Sequence, residues 1–442
     1  MGNKVALHNL GCKVNAYEIE AMQQLLEEAG YEIVPFEPGA DIYVINTCTV
    51  TNIADRKSRQ MLHKAKKMNP EAIVVATGCY VQTGGEKLEK DEAIDLVLGN
   101  NQKINIVEAL AEYAENKPGH GSHVIKINQT KEYEELSIDH TAEHVRAYIK
   151  VQDGCNQFCT YCIIPYARGR VRSRNIESVL KEVRALAEKG YKEVVLTGIH
   201  LSSYGVDFPE EKKETLLSLI RAVHEIEGIR RIRLGSLEPG IVTREFAEGI
   251  AALPKVCPHF HLSLQSGCDE TLERMNRRYR SGKYRERCEL LREVYGNPAL
   301  TTDVIVGFPQ ESEEEFRKSY DFVDSIRFYE THIFKYSRRQ GTKAAAMDGQ
   351  LTEAEKSFRS EKMIELHHRH AGDYEKSMLG KNLEVLIEEE YTKDGRTWYL
   401  GHSREYIKTA VPKSEAYGVN DIVIVKAEGF LEEHIMTGEA VE

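Results

Sequence analysis

The sequence predicts an α/β protein in three parts: an N-terminal doubly wound parallel sheet, a central partial (β/α)6 barrel and a C-terminal small all-β barrel. Three patterns lead to this reading. Short β-branched runs alternate with helical stretches early in the chain, the alternation resumes after a polar interval through six βα-type units, and at the end strands follow one another directly. With 442 residues the chain is also longer than one hydrophobic core normally supports, so two or three domains are expected.

Residues 1–115 carry the strand candidates KVALHNL, DIYVINT and AIVVATG, separated by the helical patterns EIEAMQQLLEEAG and ADRKSRQMLHKAKK. Residues 116–141 are polar and without period, and read as a linker. Residues 142–372 hold six further strand candidates, AYIKVQDG, EVVLTGIH, RIRLGS, FHLSLQSG, TTDVIVGF and THIFKY, with helices such as SVLKEVRALAEKG between them. In residues 373–442 the runs LEVLIEEEY, RTWYLGHS, YIKTAVP and DIVIVKAEG are broken by Asp-Gly, Pro and Gly, the punctuation of a small β module.

With 41% hydrophobic and 29% charged residues and 12 prolines, the composition is that of an ordinary globular protein. A net charge of −11 argues against indiscriminate coating of nucleic acid, which rests on phosphate neutralisation, so DNA is not an expected partner. No run of eighteen apolar residues or leader-like apolar core is present, so no membrane is expected and the cytoplasm is the expected compartment. Nine cysteines in such a chain, three of them tightly clustered, point to metal or redox chemistry.

Cys155, Cys159 and Cys162 form a CxxxCxxC array directly after AYIKVQD. Three thiolates so spaced can hold one iron–sulfur cluster and leave one iron open for a substrate or cofactor. A zinc site completed by His140 or His144 is the competing reading, although their spacing fits poorly. Cys12, Cys48 and Cys79 each follow a strand candidate of the N-terminal sheet, and parallel strand ends meet along one edge, so these three can converge on a second cluster. The bland alternative is three small residues packed at strand ends, and for Cys257, Cys268 and Cys288, which share no ligand spacing, that structural role is the better one.

The CxxxCxxC array, with Tyr161 before its last cysteine, resembles the signature of the radical S-adenosylmethionine (SAM) superfamily. Together with GCKVN around Cys12, NTCTVTN around Cys48, TGCYVQ around Cys79 and CNQFCTYCIIPYARG, it resembles the methylthiotransferase branch over nearly the whole chain. That resemblance implies a radical SAM partial barrel between an N-terminal cluster domain and a C-terminal TRAM barrel. It implies two 4Fe-4S clusters as cofactors, a SAM-cleaving one on Cys155, Cys159 and Cys162 and an auxiliary, sulfur-delivering one on Cys12, Cys48 and Cys79. SAM would serve twice, methylating the sulfur and generating the radical that removes hydrogen from carbon 2 of an adenine. The implied partners are the tRNA anticodon stem-loop, an electron donor such as flavodoxin or ferredoxin, and a sulfur source.

Around that chemistry, Tyr161, Thr197, Gly198, Ser236, Glu238, Gln265, Ser266 and Gly267 are the candidate SAM contacts, most of them at the C-terminal ends of barrel strands. Between Arg274 and Arg287 seven Lys or Arg face one acid, with Tyr279 and Tyr284 interleaved, so Arg277, Arg278 and Arg280 are candidate RNA contacts. Arg168, Arg170, Arg172 and Arg174 of RGRVRSR form a second basic group, and Trp398 and Arg404 of WYLGHSREY a third. Three family substrates compete: threonylcarbamoyladenosine in tRNA, isopentenyladenosine in tRNA and an aspartate of a ribosomal protein. GCKVNAYE, CTVTNIAD and YSRRQGTKAA resemble the threonylcarbamoyladenosine branch, and Thr51 and Asn52 stand where the isopentenyl branch usually has Arg-Glu. A non-catalytic iron–sulfur or zinc RNA-binding protein is the alternative of a different class.

Overall fold

A computed structural model of the chain describes residues 3–85, 88, 90–116, 121–141, 145–212 and 214–441. The N-terminal strands are β1 (Lys4–Asn9), β2 (Glu32–Ile33), β3 (Ile42–Thr47), β4 (Ile73–Gly78), β5 (Leu96–Leu98) and β6 (Gly121–His123). They form one parallel sheet in the order β2-β1-β3-β4-β5-β6. Tyr43, Ile45, Val74 and Ala76 pack on one face with Leu62 and Ala65 of α2 (Asn52–Met68), while Ile42, Val44 and Val75 pack on the other with Met22 and Leu26 of α1 (Lys13–Glu28). Both faces are buried, which is why these strands read as continuous apolar runs.

Strand β6 falls inside the interval expected to be a linker. It is an edge strand of three residues with no apolar alternation, so no period marked it. Residues after β6 in that interval are also tied down: Ile127, Leu136 and Ile138 are buried, and Tyr17 of α1 donates to Leu136 O at 2.6 Å.

The central strands are β7 (Arg146–Asp153), the short β8 (Arg172–Ser173), β9 (Glu193–Gly198), β10 (Arg231–Leu234), β11 (His259–His261), β12 (Ala299–Val306) and β13 (Glu330–Lys335). Apart from β8, which pairs antiparallel with β7, they run parallel in sequence order, with β10 and β11 joined by the bridges Ile232↔Val256 and Leu237↔Leu262. The result is an open six-stranded barrel. Ala147, Ile149, Val194, Leu196, Ile232, Phe260 and Val304 pack into the outer core with the helices. Alternation then turns Arg146, Lys150, Glu193, Arg231, Arg233, His259, His261 and Asp303 into the lumen.

The last strands, β14 (Asn382–Lys393), β15 (Arg396–Ser403), β16 (Lys408–Pro412), β17 (Ile422–Glu432) and β18 (Ile435–Ala440), close into a barrel in the order β14-β15-β16-β18-β17 around Leu383, Val385, Ile387, Val411, Val425 and Met436. This module sits under the N-terminal ends of the larger barrel's strands. Arg231 donates to Glu384 at 2.8 Å, Arg233 to Arg404 O at 2.9 Å, and Arg146 pairs with Glu388. Arg404, expected to contact RNA, donates instead to Pro254 O and Val256 O within this seam. Among the described residues, no helix is long and apolar enough to cross a membrane.

Glu193 lies at the centre of the seam, 2.9 Å from Arg233 Nε and 3.4 Å from Arg231 Nη1. Burial opposes its ionisation, yet Arg233, Arg146 and Arg231 hold its carboxyl down at about 2. A folded pKa below the unfolded value, roughly 4.3, stabilises the fold above that value and ceases to do so as pH falls towards 2. Thermal melts across pH will therefore show stability falling from about pH 5 to 2. In Glu193→Gln that fall will be shallower, and the variant will be about 3 kcal/mol less stable at neutral pH.

Candidate active site

Strand β7 ends at Asp153, and Gly154 turns the chain with φ +72°. A Cβ there would lie 1.8 Å from Arg170 O, so only glycine allows the cysteine loop to pass so close to the returning chain. Gln152 donates to the carbonyls of Asp153 and Gly154, both at 2.7 Å, Cys155 N donates to Gly169 O, and Thr160 N to Met275 O. The protein's own groups thus hold the loop in place. Gln157 N points at Cys155 Sγ at 3.5 Å, and Arg277 Nη1 donates to Cys159 Sγ at 3.2 Å. Burial pushes the thiols of Cys155 and Cys162 up to about 11 and about 12, so these sulfurs are protonated at neutral pH until a metal displaces the protons.

The N-terminal trio arises from sheet order. Cys12 caps α1 after β1, Cys48 follows β3, and Cys79 opens α3 (Cys79–Gly84) after β4; these three strands are neighbours. At Gly11, φ is +122° and a Cβ would approach Cys48 Cβ at 3.2 Å, which brings the first two cysteine loops together. Asn15 ties them by donating to Leu10 O at 2.8 Å and Thr47 O at 3.0 Å. Arg168, from the barrel side, donates to Cys79 Sγ at 3.1 Å and to Asn15 Oδ1 at 2.7 Å, and pairs with Glu18. Lys150 bridges Glu18 and Asp153, both at 2.7 Å, Lys103 reaches Glu18 at 3.2 Å, and Arg172 reaches Asp153 at 3.5 Å.

Four buried cations here face only two carboxylates. Water cannot supply the missing negative charge, and thiolates coordinating a metal would, Cys79 being already in hydrogen-bond contact. Each trio offers the thiol donors that an iron–sulfur cluster needs, its members near enough to feel one another's charge, and each has a guanidinium on one sulfur.

Several residues expected to touch RNA or SAM serve elsewhere. Arg168, Arg172 and Arg174 are buried, the first two in the network above and Arg174 on Glu182 and Glu135. Of the RGRVRSR arginines only Arg170 is exposed, its guanidinium 4.5 Å from the Phe158 ring centre. Arg277 is drawn in to Cys159, whereas Arg278 and Arg280 are exposed. Tyr279 and Tyr284, interleaved in that basic run, are buried and donate to backbone carbonyls. A basic run reads as solvated when an acidic partner is distant in sequence, as Glu18 is from Arg168.

Among the SAM candidates, Ser266 and Gly267 turn to the outer layer. Cys268 N donates to Ser266 Oγ, Gly267 N donates to Ser319 Oγ, and a Cβ at Gly267 would meet Phe322 at 2.5 Å. Thr197, Gly198, Ser236, Glu238 and Gln265 stay at strand ends on the cysteine-loop side. Tyr161 packs edge-on against Phe308 behind the loop, and Trp398 is half-buried under Arg396. Cys257, Cys268 and Cys288 are buried; His140 pairs with Asp139, and His144 lies outside the described residues.

The site also contains residues to which sequence patterns assigned no role: Gln157 and His200 around Glu238, and Asn15, Glu18, Asn100, Lys103 and Lys150 around the first trio. The available signal was Lys150 and Gln152, polar at alternate positions of an otherwise apolar strand and ending at the cysteine loop.

Residues 4–99 match an uncharacterized protein family, UPF0004, and residues 149–323 match the radical SAM superfamily. The threonylcarbamoyladenosine tRNA methylthiotransferase MtaB of Bacillus subtilis is 41% identical over 96% of this chain and 93% of its own. The protein of that name from Aquifex aeolicus is 43% identical over 88% of this chain and 93% of its own. The tRNA-2-methylthio-N(6)-dimethylallyladenosine synthase of Finegoldia magna is 34% identical over 98% and 93%. Among solved structures, the radical SAM methyltransferase TsrM from Kitasatospora setae shares the fold, with TM-score 0.57 and 18% identity over 76% of this chain and 75% of that one.

Arg168→Met would leave Glu18 buried with part of its charge uncompensated. Chemical denaturation of the cluster-free protein is expected to show a loss of about 3–5 kcal/mol, since breaking a buried pair costs more than removing it whole. A loss under about 1 kcal/mol would mean that the network contributes little to the fold.

Proposed function

This chain belongs to the radical SAM methylthiotransferase family, and from that premise we propose that it adds a methylthio group to carbon 2 of threonylcarbamoyladenosine next to the anticodon of tRNA. The observation that carries the proposal is the pair of cysteine trios at strand ends of two parallel sheets, joined through Arg168. Cys155, Cys159 and Cys162 would hold one 4Fe-4S cluster, and Cys12, Cys48 and Cys79 the other. When bound, the first supplies the electron that cleaves SAM and the second carries the sulfur.

The protein's own groups position and insulate these centres. Backbone N–H of Gln157 and the guanidiniums of Arg277 and Arg168 donate to cysteine sulfurs, stabilising their ionised, ligating form. Burial opposes ionisation of Glu238, but the hydrogen bond from His200 and the charge of Arg277 hold its carboxyl below the usual range. It therefore remains an anion at neutral pH beside the cysteine loop, a fitting acceptor for the amino group or ribose of SAM. Thr197, Gly198, Ser236 and Gln265 supply the remaining polar surface at the strand ends, and Tyr161 backs the loop.

Exposed Arg170, Arg278 and Arg280 flank the cysteine loop and suit the phosphates of an anticodon stem-loop, and half-buried Trp398 offers a stacking edge. Flavodoxin or ferredoxin as electron donor, a separate sulfur source and a cytoplasmic site complete the reading. For the substrate, the 41% and 43% identity to the Bacillus subtilis and Aquifex aeolicus proteins named for threonylcarbamoyladenosine, against 34% to the Finegoldia magna dimethylallyladenosine synthase, supports it. So does the place of Asn52, which donates to Arg338 O at 2.9 Å and so joins CTVTN to YSRRQGTKAA.

Anaerobic turnover of reconstituted protein with dithionite, SAM, sulfide and tRNA carrying threonylcarbamoyladenosine, followed by nucleoside mass spectrometry, is expected to show the gain of one methylthio group. Cys155→Ala will lose both SAM cleavage and product, and Cys12→Ala the product. SAM cleavage without any change in the nucleoside would keep the radical chemistry and discard this substrate.

A further inference from the structure

Strands β11, β12 and β13 run parallel, and their register sets His261 beside Thr301 and Asp303 beside His332. Val304 and Ile333 pack outwards with the helices, so the alternate positions Asp303 and His332 face the lumen together with His261. Three adjacent strands thus bring two imidazoles and one carboxylate to a single wall of the barrel, part-way along its length.

The ring of His332 lies along that of His261, with centres 5.7 Å apart and planes inclined by 23°. His261 Nε2 is 3.2 Å from Asp303 Oδ2, and one donor atom from each of the three residues lies within 4.8 Å of the other two. Donors each held about 2.1 Å from one shared ion stand roughly 3 to 4 Å apart, so small side-chain rotations close the set. His261 Nδ1 lies 3.0 Å from Thr301 Oγ1, which can accept its proton and leave Nε2 with a lone pair turned toward Asp303. That nitrogen is buried and has no hydrogen-bond partner among the described residues, because the carboxylate is close but lies off the N–H direction. A lone pair and a carboxylate directed at one point repel each other, and a cation between them turns the repulsion into attraction. The ring of His332, which makes no hydrogen bond among the described residues, is free to join them.

We infer that His261, Asp303 and His332 form a binding site for a divalent first-row transition metal ion of the zinc or iron(II) class. Two imidazole nitrogens with one carboxylate suit these ions, whereas magnesium and calcium call for oxygen donors throughout. Thr301 is a positioning residue that fixes the tautomer of His261. Three protein ligands leave coordination positions over, and these face the lumen, where water or a carboxylate can fill them. The inference goes beyond the methylthiotransferase reading and does not depend on it, since neither cysteine trio contributes a ligand.

The test titrates cluster-reconstituted protein with zinc sulfate, because a nitrogen and oxygen site that takes iron(II) takes zinc more tightly. Zinc and iron per chain are counted after gel filtration, zinc affinity is read against a competing chelator dye, and thermal melts are recorded with and without zinc. Wild-type protein is expected to retain about one zinc per chain more than His332→Ala, with iron unchanged, and to gain more in Tm on zinc addition. Asp303→Asn should weaken zinc binding by at least about tenfold, and Thr301→Val by about tenfold through His261. His332 is exposed, so its truncation leaves the packing intact, and all these proteins share the same cysteines, so the difference between them reads this site alone. Equal zinc content and affinity in wild type, His332→Ala and Asp303→Asn would overturn the inference, as would wild-type protein that retains no zinc.

Discussion

Arg168 and Glu18 meet in a space from which water is excluded, and the arrangement of the catalytic half of the molecule follows from that contact. Glu18 comes from the helix that Cys12 caps, and Arg168 from the turn that follows the second cysteine trio. A buried guanidinium must use all its donors, and this one spends them on Glu18, Asn15 and Cys79. Any slippage between the sheet and the barrel would strand charge in the interior. The ion pair therefore acts less as a source of net stability than as a register lock between two units whose cysteines must face one another.

The same economy recurs at the other end of the barrel. Glu193 gathers three arginines from two strands, and those arginines in turn grip carbonyls and carboxylates of the small β-barrel. An open barrel has a lumen that its own side chains do not fill, so it is floored with ion pairs instead of an apolar plug. The cost of desolvating those charges is offset by their mutual contacts, and the polar walls fit the lumen to accept polar matter.

In the N-terminal cysteine site the parallel sheet does the assembling. Strand ends brought side by side by sheet order bring together Cys12, Cys48 and Cys79 across 67 residues, whereas Cys155, Cys159 and Cys162 need only one loop. The distant trio needs asparagines to tie its loops, and Asn15 and Asn46 provide that by bonding across β1, β3 and α1. In the compact trio Gly154 and Gln152 bend a single segment into place.

Local chemistry made much of this legible from residues alone. The βα alternation, the three-part architecture and the CxxxCxxC loop depend on period, turn residues and short spacing, which neighbouring residues enforce on one another. The roles of the arginines do not. Arg168, Arg172, Arg174 and Arg277 look like solvated RNA contacts in sequence, and only the folded chain brings Glu18, Asp153, Glu182 and Cys159 to them. Sequence by itself determined the kind of fold and the family that its cysteine motifs resemble; which charges face solvent and which clamp the domains was decided by tertiary structure, because burial and pairing of charge depend on residues that only the fold brings together.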